Sequence, residues 1–371
     1  MKLKPILLQL LILKSFHLAA QSDTTQNRVI GNIKQIETSY WVGLNLGGIW
    51  AHNQPVYHLA QSHPVQIYAE FHRNNPNKEW SSNFKSANSG ICISYFDYRS
   101  KVLGKSLASI AFLEPRITRN LSFRLGTGLV FNSNPFNLES NTTNLMLGSS
   151  FEIVMHGQIS FTIFSRPLGI EKRKPLIRLG LGLTHFSNGA FKQPNSGINN
   201  FYLSAGYCFS ELHKTSNSEK KTEKKKPKSL SFALSSSLSL VEKYPVWGKK
   251  YAVFQLQGRS NYRLGKLSSL RSGLDLMYNE AVKAEIKENP ERGNSALVLG
   301  LPIGHELHIS NHLSLVTEFG FYIVKNHQIH ASSYQRYGLR YLWSNGIFTG
   351  LFLKTHTAKA ECLEFNFGFQ L

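Results

Sequence analysis

His185 and Ser187 stand two residues apart in "RLGLGLTHFSNGAFKQPNSGIN", residues 178–199. An imidazole beside a hydroxyl is the minimum for acyl-transfer chemistry. A serine is a weak nucleophile at neutral pH until a neighbouring base takes its proton. The tetrahedral oxyanion that follows needs hydrogen-bond donors close by. The backbone amides of Asn188 and Gly189, or an asparagine side chain, are candidates for that role. His-x-Ser alone is a common and uninformative spacing, so its meaning depends on what positions it.

The positioning element reads as a β-strand. Ile177, Leu179, Leu181, Leu183, His185 and Ser187 share one parity; Arg178, Gly180, Gly182 and Thr184 share the other. Side chains alternate between faces along a strand, and the rise of roughly 3.3 Å per residue puts i and i+2 about 7 Å apart at the backbone. An imidazole can bridge that gap to a serine hydroxyl. The leucine row carries His185 and Ser187 at its end, followed by a loop rich in Asn, Pro and Gly. If the leucines face lipid, so do His185 and Ser187.

The same alternation recurs along the chain. In "CLEFNFGFQL" Leu363, Phe365, Phe367, Phe369 and Leu371 oppose Glu364, Asn366, Gly368 and Gln370. In "NLSFRLGTGLVF" Leu121, Phe123, Leu125, Leu129 and Phe131 oppose Arg124, Gly126 and Gly128. Further strands are expected over 40–50, 65–73, 90–98, 106–113, 147–164, 202–210, 229–241, 251–264, 268–278, 296–308, 312–325, 336–343 and 347–356. Aromatics on one face and polar groups on the other are the pattern of a barrel in lipid, where only closed barrels and helices satisfy every backbone group. The expected fold is all-β: an antiparallel transmembrane outer-membrane β-barrel of about 14–16 strands. A soluble β-sandwich would also alternate, but it does not account for so many successive strands with outward aromatics.

Residues 1–20 have the form of a signal peptide: basic Lys2 and Lys4, an apolar centre from Ile6 to Leu13, and small Ala19 and Ala20. The expected division is residues 1–20 as signal and 21–371 as barrel, exported to the outer membrane. No run approaches the length of a membrane-spanning helix. Residues 212–230 form a Lys-rich stretch between two halves, and each half closes with a Thr-His pair, Thr184-His185 and Thr355-His356. The net charge of +20 suits anionic lipid or lipopolysaccharide, since exposed Lys and Arg are drawn to surface phosphates. No nucleic-acid motif is present. Cys92, Cys208 and Cys362 have no paired spacing and read as small apolar strand residues rather than disulfide or zinc ligands. No metal site or cofactor motif is legible, and a homo-oligomer is left open.

The segment "THFSNGAFKQPNSGIN" resembles the active-site signature of the lipid A 3-O-deacylase (PagL-type) or acyloxyacyl hydrolase family. Three more stretches, at 237–251, 334–341 and 353–369, resemble the long, Bacteroidetes-like form, so the resemblance extends over nearly the whole mature chain. It implies an outer-membrane serine esterase that removes an ester-linked acyl chain from the 3-position of lipid A. On it, His185 is the base, Ser187 the nucleophile, and Asn188 follows the serine as in the family. Asn195, after Pro194, is linked to oxyanion stabilisation. The best-known members place a glutamate fourteen residues after the histidine. Here that position holds Asn199, which can orient an imidazole but cannot balance its charge as a carboxylate does; Glu152 is the alternative orienting acid. His356 has Ala358 at i+2, so no second dyad is expected, and it is read as a strand-end residue at head-group level. A non-catalytic pore and a structural or adhesion barrel are the competing readings.

Overall fold

The computed structural model describes residues 34–371, apart from 52–53, 75–80, 82–83, 85–86, 165–175, 216–229 and 357–358. The expected signal segment and most of the Lys-rich stretch lie outside the described residues. Among the described residues sixteen strands form, one for every alternating run expected from the sequence. They close as two rings of eight, β1–β8 and β9–β16, rather than round a single wall of 14–16. Every strand pairing among the described residues is antiparallel.

In the first ring β1 (Lys34–Ile49), β2 (Val65–Asn74), β3 (Asn88–Asp97), β4 (Lys105–Glu114) and β5 (Leu121–Asn132) are followed by β6 (Phe151–Phe164), β7 (Leu176–Ser187) and β8 (Ile198–Thr215). Closure is made by β1 against β8, with Gly43 opposite Gly206 and Leu46 opposite Leu203. β8 extends to Thr215, into the stretch expected to be loop from residue 212.

The second ring begins with β9 (Leu230–Glu242), β10 (Lys250–Arg263) and β11 (Ser268–Asn279). The helix α1 (Glu280–Glu288), capped by the Asn279 side chain, follows. Next come β12 (Gly293–His308), β13 (Leu313–His327), β14 (Ser333–Leu342), β15 (Ile347–His356) and β16 (Lys359–Gln370). β16 returns to β9, with Phe367 opposite Ser236.

The inward rows explain why eight strands suffice. Eight strands enclose a space that side chains can fill, whereas sixteen leave an aqueous channel. The first barrel is filled by Tyr68, Glu70, His72, Glu114, Arg124 and Arg178, all buried. Arg124 Nε donates to Glu114 at 2.8 Å and Arg178 Nη2 to Glu70 at 2.6 Å. In the second, Arg336 donates to Glu364 at 2.7 Å, Glu318 at 2.8 Å and Asp275 at 2.9 Å, and Arg271 to Glu306 at 2.7 Å. Buried charges persist only when paired; stripping one partner from such a pair typically costs about 3–5 kcal/mol. Filled interiors of this kind oppose the pore reading.

The outward rows are apolar, as the alternation requires. Phe365, Phe367 and Phe369 on β16 are exposed while Glu364 and Asn366 are buried, and on β5 Leu129 and Phe131 are exposed while Arg124 is buried. Polar interiors and exposed leucine and phenylalanine invert the order of a water-soluble domain and suit lipid. No helix among the described residues is long and apolar enough to cross a membrane; here strands do so. The three cysteines are buried, and none of them is in a disulfide.

By its contacts the chain divides into two compact units. The second contains not only β9–β16 but also Pro135–Glu152, which runs into the start of β6, and Ser187–Gly197, the connection between β7 and β8.

Candidate active site

β7 and β8 pair with Leu181 opposite Leu203, Leu183 opposite Phe201 and His185 opposite Asn199. Ile177, Leu179 and Leu181 are exposed on the outer wall, while Arg178, Thr184 and Phe186 are buried on the inner side. Phe186 anchors that side edge-on against Phe96, with centroids 5.1 Å apart. His185 therefore belongs to the outward row, as its parity with the leucines predicts, and Ser187 follows at the strand end. Trp50, at the end of β1, is exposed beside Phe201, and its backbone N–H donates to Asn199 O at 2.8 Å. An exposed tryptophan at a strand end suits the boundary between acyl chains and head groups.

The imidazole is held through Nδ1. His185 Nδ1 lies 2.7 Å from Asn199 Oδ1. A carbonyl oxygen only accepts, so Nδ1 carries the hydrogen and Nε2 keeps its lone pair. That is the tautomer a general base needs. Glu152, the other orienting candidate, lies in the inward row of β6 with Val154 and His156, and is buried. Asn199 is the partner set on Nδ1.

Ser187 is 9% exposed, covered by its own loop. Two donors converge on its Oγ: Asn195 Nδ2 at 3.0 Å and the Gly189 backbone N–H at 3.2 Å. The hydroxyl also lies 3.3 Å from Asn195 Oδ1. Asn195 is itself oriented, because Oδ1 accepts the Asn188 N–H at 3.2 Å. The Asn188 side chain does different work. It bonds both Lys192 N, at 3.3 Å, and Lys192 O, at 3.0 Å, closing the turn on itself. Of the two amides the sequence offered for an oxyanion, Gly189 aims at the serine and Asn188 steers Asn195.

Gly189 has φ +64°, a left-handed conformation. A Cβ there would stand 3.0 Å from Leu363 Cβ. Both the turn and the close approach require glycine. The loop is pinned elsewhere too. Ser196 N–H donates to Leu145 O at 3.1 Å and Gly197 N–H to Met146 O at 2.9 Å; the Ala190 carbonyl accepts Glu242 N–H at 3.1 Å. Lys250 Nζ caps the Phe191 carbonyl and sits over its ring, 3.9 Å from the centroid.

The strand expected over 147–164 begins only at Phe151, so residues 147–150 lie outside it. Met146 and Leu147 are buried beneath the Ser187 loop, and a Cβ on Gly148 would meet Pro194 O at 2.2 Å. The only sequence signal for this support is Asn144, whose Oδ1 accepts the N–H of Met146 at 3.2 Å and of Leu147 at 3.1 Å, a local turn competing with the strand.

Residues 35–208 match the lipid A 3-O-deacylase (PagL) family, and residues 228–371 match the acyloxyacyl hydrolase C-terminal domain. The chain belongs to the PagL/acyloxyacyl hydrolase family, in its long two-domain form. The two matches fall one on each barrel. Membership supplies a general activity, hydrolysis of the lipid A deacylase type, and with the barrel fold an outer-membrane location and a lipid A or lipopolysaccharide interaction. No curated protein matches the chain. Among solved structures, the NanC porin is 7% identical, with 89% of this chain and 97% of that chain covered and a TM-score of 0.18. The toluene transporter TodX of Pseudomonas putida is 9% identical, with 90% and 87% covered and a TM-score of 0.18. The ferric enterobactin receptor of Pseudomonas aeruginosa is 12% identical, with 86% and 54% covered and a TM-score of 0.22.

Proposed function

We propose that this PagL-family chain is an outer-membrane serine esterase that removes the acyl chain ester-linked at the 3-position of lipid A. Ser187 Oγ attacks the ester carbonyl as His185 Nε2 takes its proton. The Gly189 N–H and Asn195 Nδ2 hold the developing oxyanion. Collapse breaks the bond to the sugar oxygen, which leaves as a hydroxyl with the proton from His185. Water, deprotonated by the same imidazole, then frees the fatty acid and restores Ser187.

The observation that carries this reading is the arrangement around Ser187: two donors meet at Oγ, two residues from an imidazole whose tautomer Asn199 fixes. The outer-wall location supplies the substrate class. Leu181, Leu183, Phe201 and Leu203 line the wall below the pair on β7 and β8, where an acyl chain would lie, with the polar end of the lipid at the strand end. Asn199 is neutral, so its pairing with Nδ1 orients the ring without itself balancing the imidazolium.

Mass spectrometry of lipid A from cells with and without the chain tests the reading. Loss of one 3-O-linked acyl mass, with the other acyl chains intact, is expected. Unchanged lipid A with a folded barrel in the outer membrane would sink it.

A further inference from the structure

One end of the second barrel brings two imidazoles and a carboxylate together from three segments. His330 lies in the turn between β13 and β14, His356 ends β15, and Glu361 stands near the start of β16. Glu361 reaches this position through a bulge. Lys354 pairs with Cys362 and Thr355 with Ala360, which leaves Glu361 unmatched. A bulge re-aims a side chain. By simple alternation Glu361 would follow exposed Phe365 outward, yet its side chain is only 7% exposed.

Glu361 Oε1 lies 3.6 Å from His330 Nδ1, and Oε2 lies 3.5 Å from His356 Nδ1. The three candidate ligand atoms all fall within 4.8 Å of one another. Such gaps are long for hydrogen bonds to a carboxylate. They are close to the edge of a tetrahedral metal site: bonds of about 2.0–2.1 Å to nitrogen and oxygen give ligand separations of roughly 3.3–3.4 Å. The other nitrogen of His356, Nε2, is 2.9 Å from Tyr322 Oη. Metal-bound histidines are commonly oriented in this way through the nitrogen that faces away from the ion. Asn279 Nδ2 steadies Glu361 Oε1 at 3.1 Å.

We propose that His330, His356 and Glu361 form a site for a divalent first-row transition ion of the zinc class, with its fourth position open. Two imidazoles and one carboxylate offer too few oxygens for calcium or magnesium and suit zinc, whose non-structural sites keep three protein ligands. The Lys354 ammonium, 2.9 Å from Glu361 Oε2, neutralises the carboxylate when no ion is bound and competes with the ion for it. His330 and His356 are separated by 25 residues, so the set has no short-spacing signature.

Cobalt(II) substitution in the refolded full-length chain tests the site. The expected result is one ion per chain with the intense visible absorption of four-coordinate cobalt, displaced by zinc. His330→Ala, in a turn, and Glu361→Gln, of unchanged shape, should each weaken binding at least about tenfold, with folding checked by heat-modifiable gel mobility. Absence of bound cobalt, a six-coordinate spectrum, or binding that both folded variants retain would overturn the proposal.

Discussion

β7 and β15 are each the seventh strand of an eight-stranded barrel, and each ends near a Thr-His pair. The two pairs stand in opposite phase. In the first barrel Thr184 is buried inside and His185 continues the outward leucine row, two residues before Ser187. In the second, His356 follows the inward row of Phe352 and Lys354, touches Tyr322 and faces Glu361. Position 358 holds alanine instead of serine. One dipeptide therefore meets two environments, because the strand face decides whether an imidazole faces lipid or a polar interior. Within one compact unit, Glu242, Lys250 and Leu363 hold or abut the loop that runs on from Ser187.

The comparison breaks most sharply at the histidines. His185→Ala should lower acyl release by several powers of ten, since base and nucleophile act as a unit. Residual activity near wild type would mean that the outward phase of His185 has no catalytic meaning. Next in size is Asn195→Ala. Removing one oxyanion donor costs about 10²- to 10³-fold in kcat, with little change in KM expected. A KM effect alone would make Asn195 a substrate contact.

Asn199→Ala should be milder. A neutral hydrogen bond is worth about 1 kcal/mol, or roughly fivefold, and the pH–rate profile should shift with it. Glu152→Gln should change the rate less than Asn199→Ala does. The reverse ranking would return the orienting role to Glu152. The smallest effect tests support of the loop. Gly189→Ala imposes a left-handed residue costing roughly 1–2 kcal/mol and presses on Leu363. It should reduce kcat while both barrels keep their heat-modifiable mobility. Full activity would detach the loop's conformation from catalysis.

The strands were legible because alternation is a local signal: each of the sixteen appears where polar and apolar residues take turns. Their closure was not. Alternation says which face a residue occupies, not which distant strand completes the ring. The pairing of Gly43 with Gly206 leaves no trace in either segment. Inward size was the available clue, since Arg124, Arg178 and Tyr68 fill a narrow barrel. The outward phase of His185 was equally readable, and the fourteen-residue spacing to Asn199 is the register of a hairpin. The start of the 147–164 strand was placed four residues early because Leu147 carries an apolar signal, while Asn144 holds Met146 and Leu147 in a local turn. Glu361 was hidden by its bulge, which breaks the parity on which the reading depends.

The most direct measurement is acyl release from purified lipid A in detergent by Ser187→Ala, with folding verified by gel mobility. The hydroxyl is not part of the β-ladder, so the variant should fold as the wild type does. The account predicts a loss of several powers of ten in rate, with lipid A still bound. Near-normal release by the folded variant would contradict it and remove serine catalysis from this barrel.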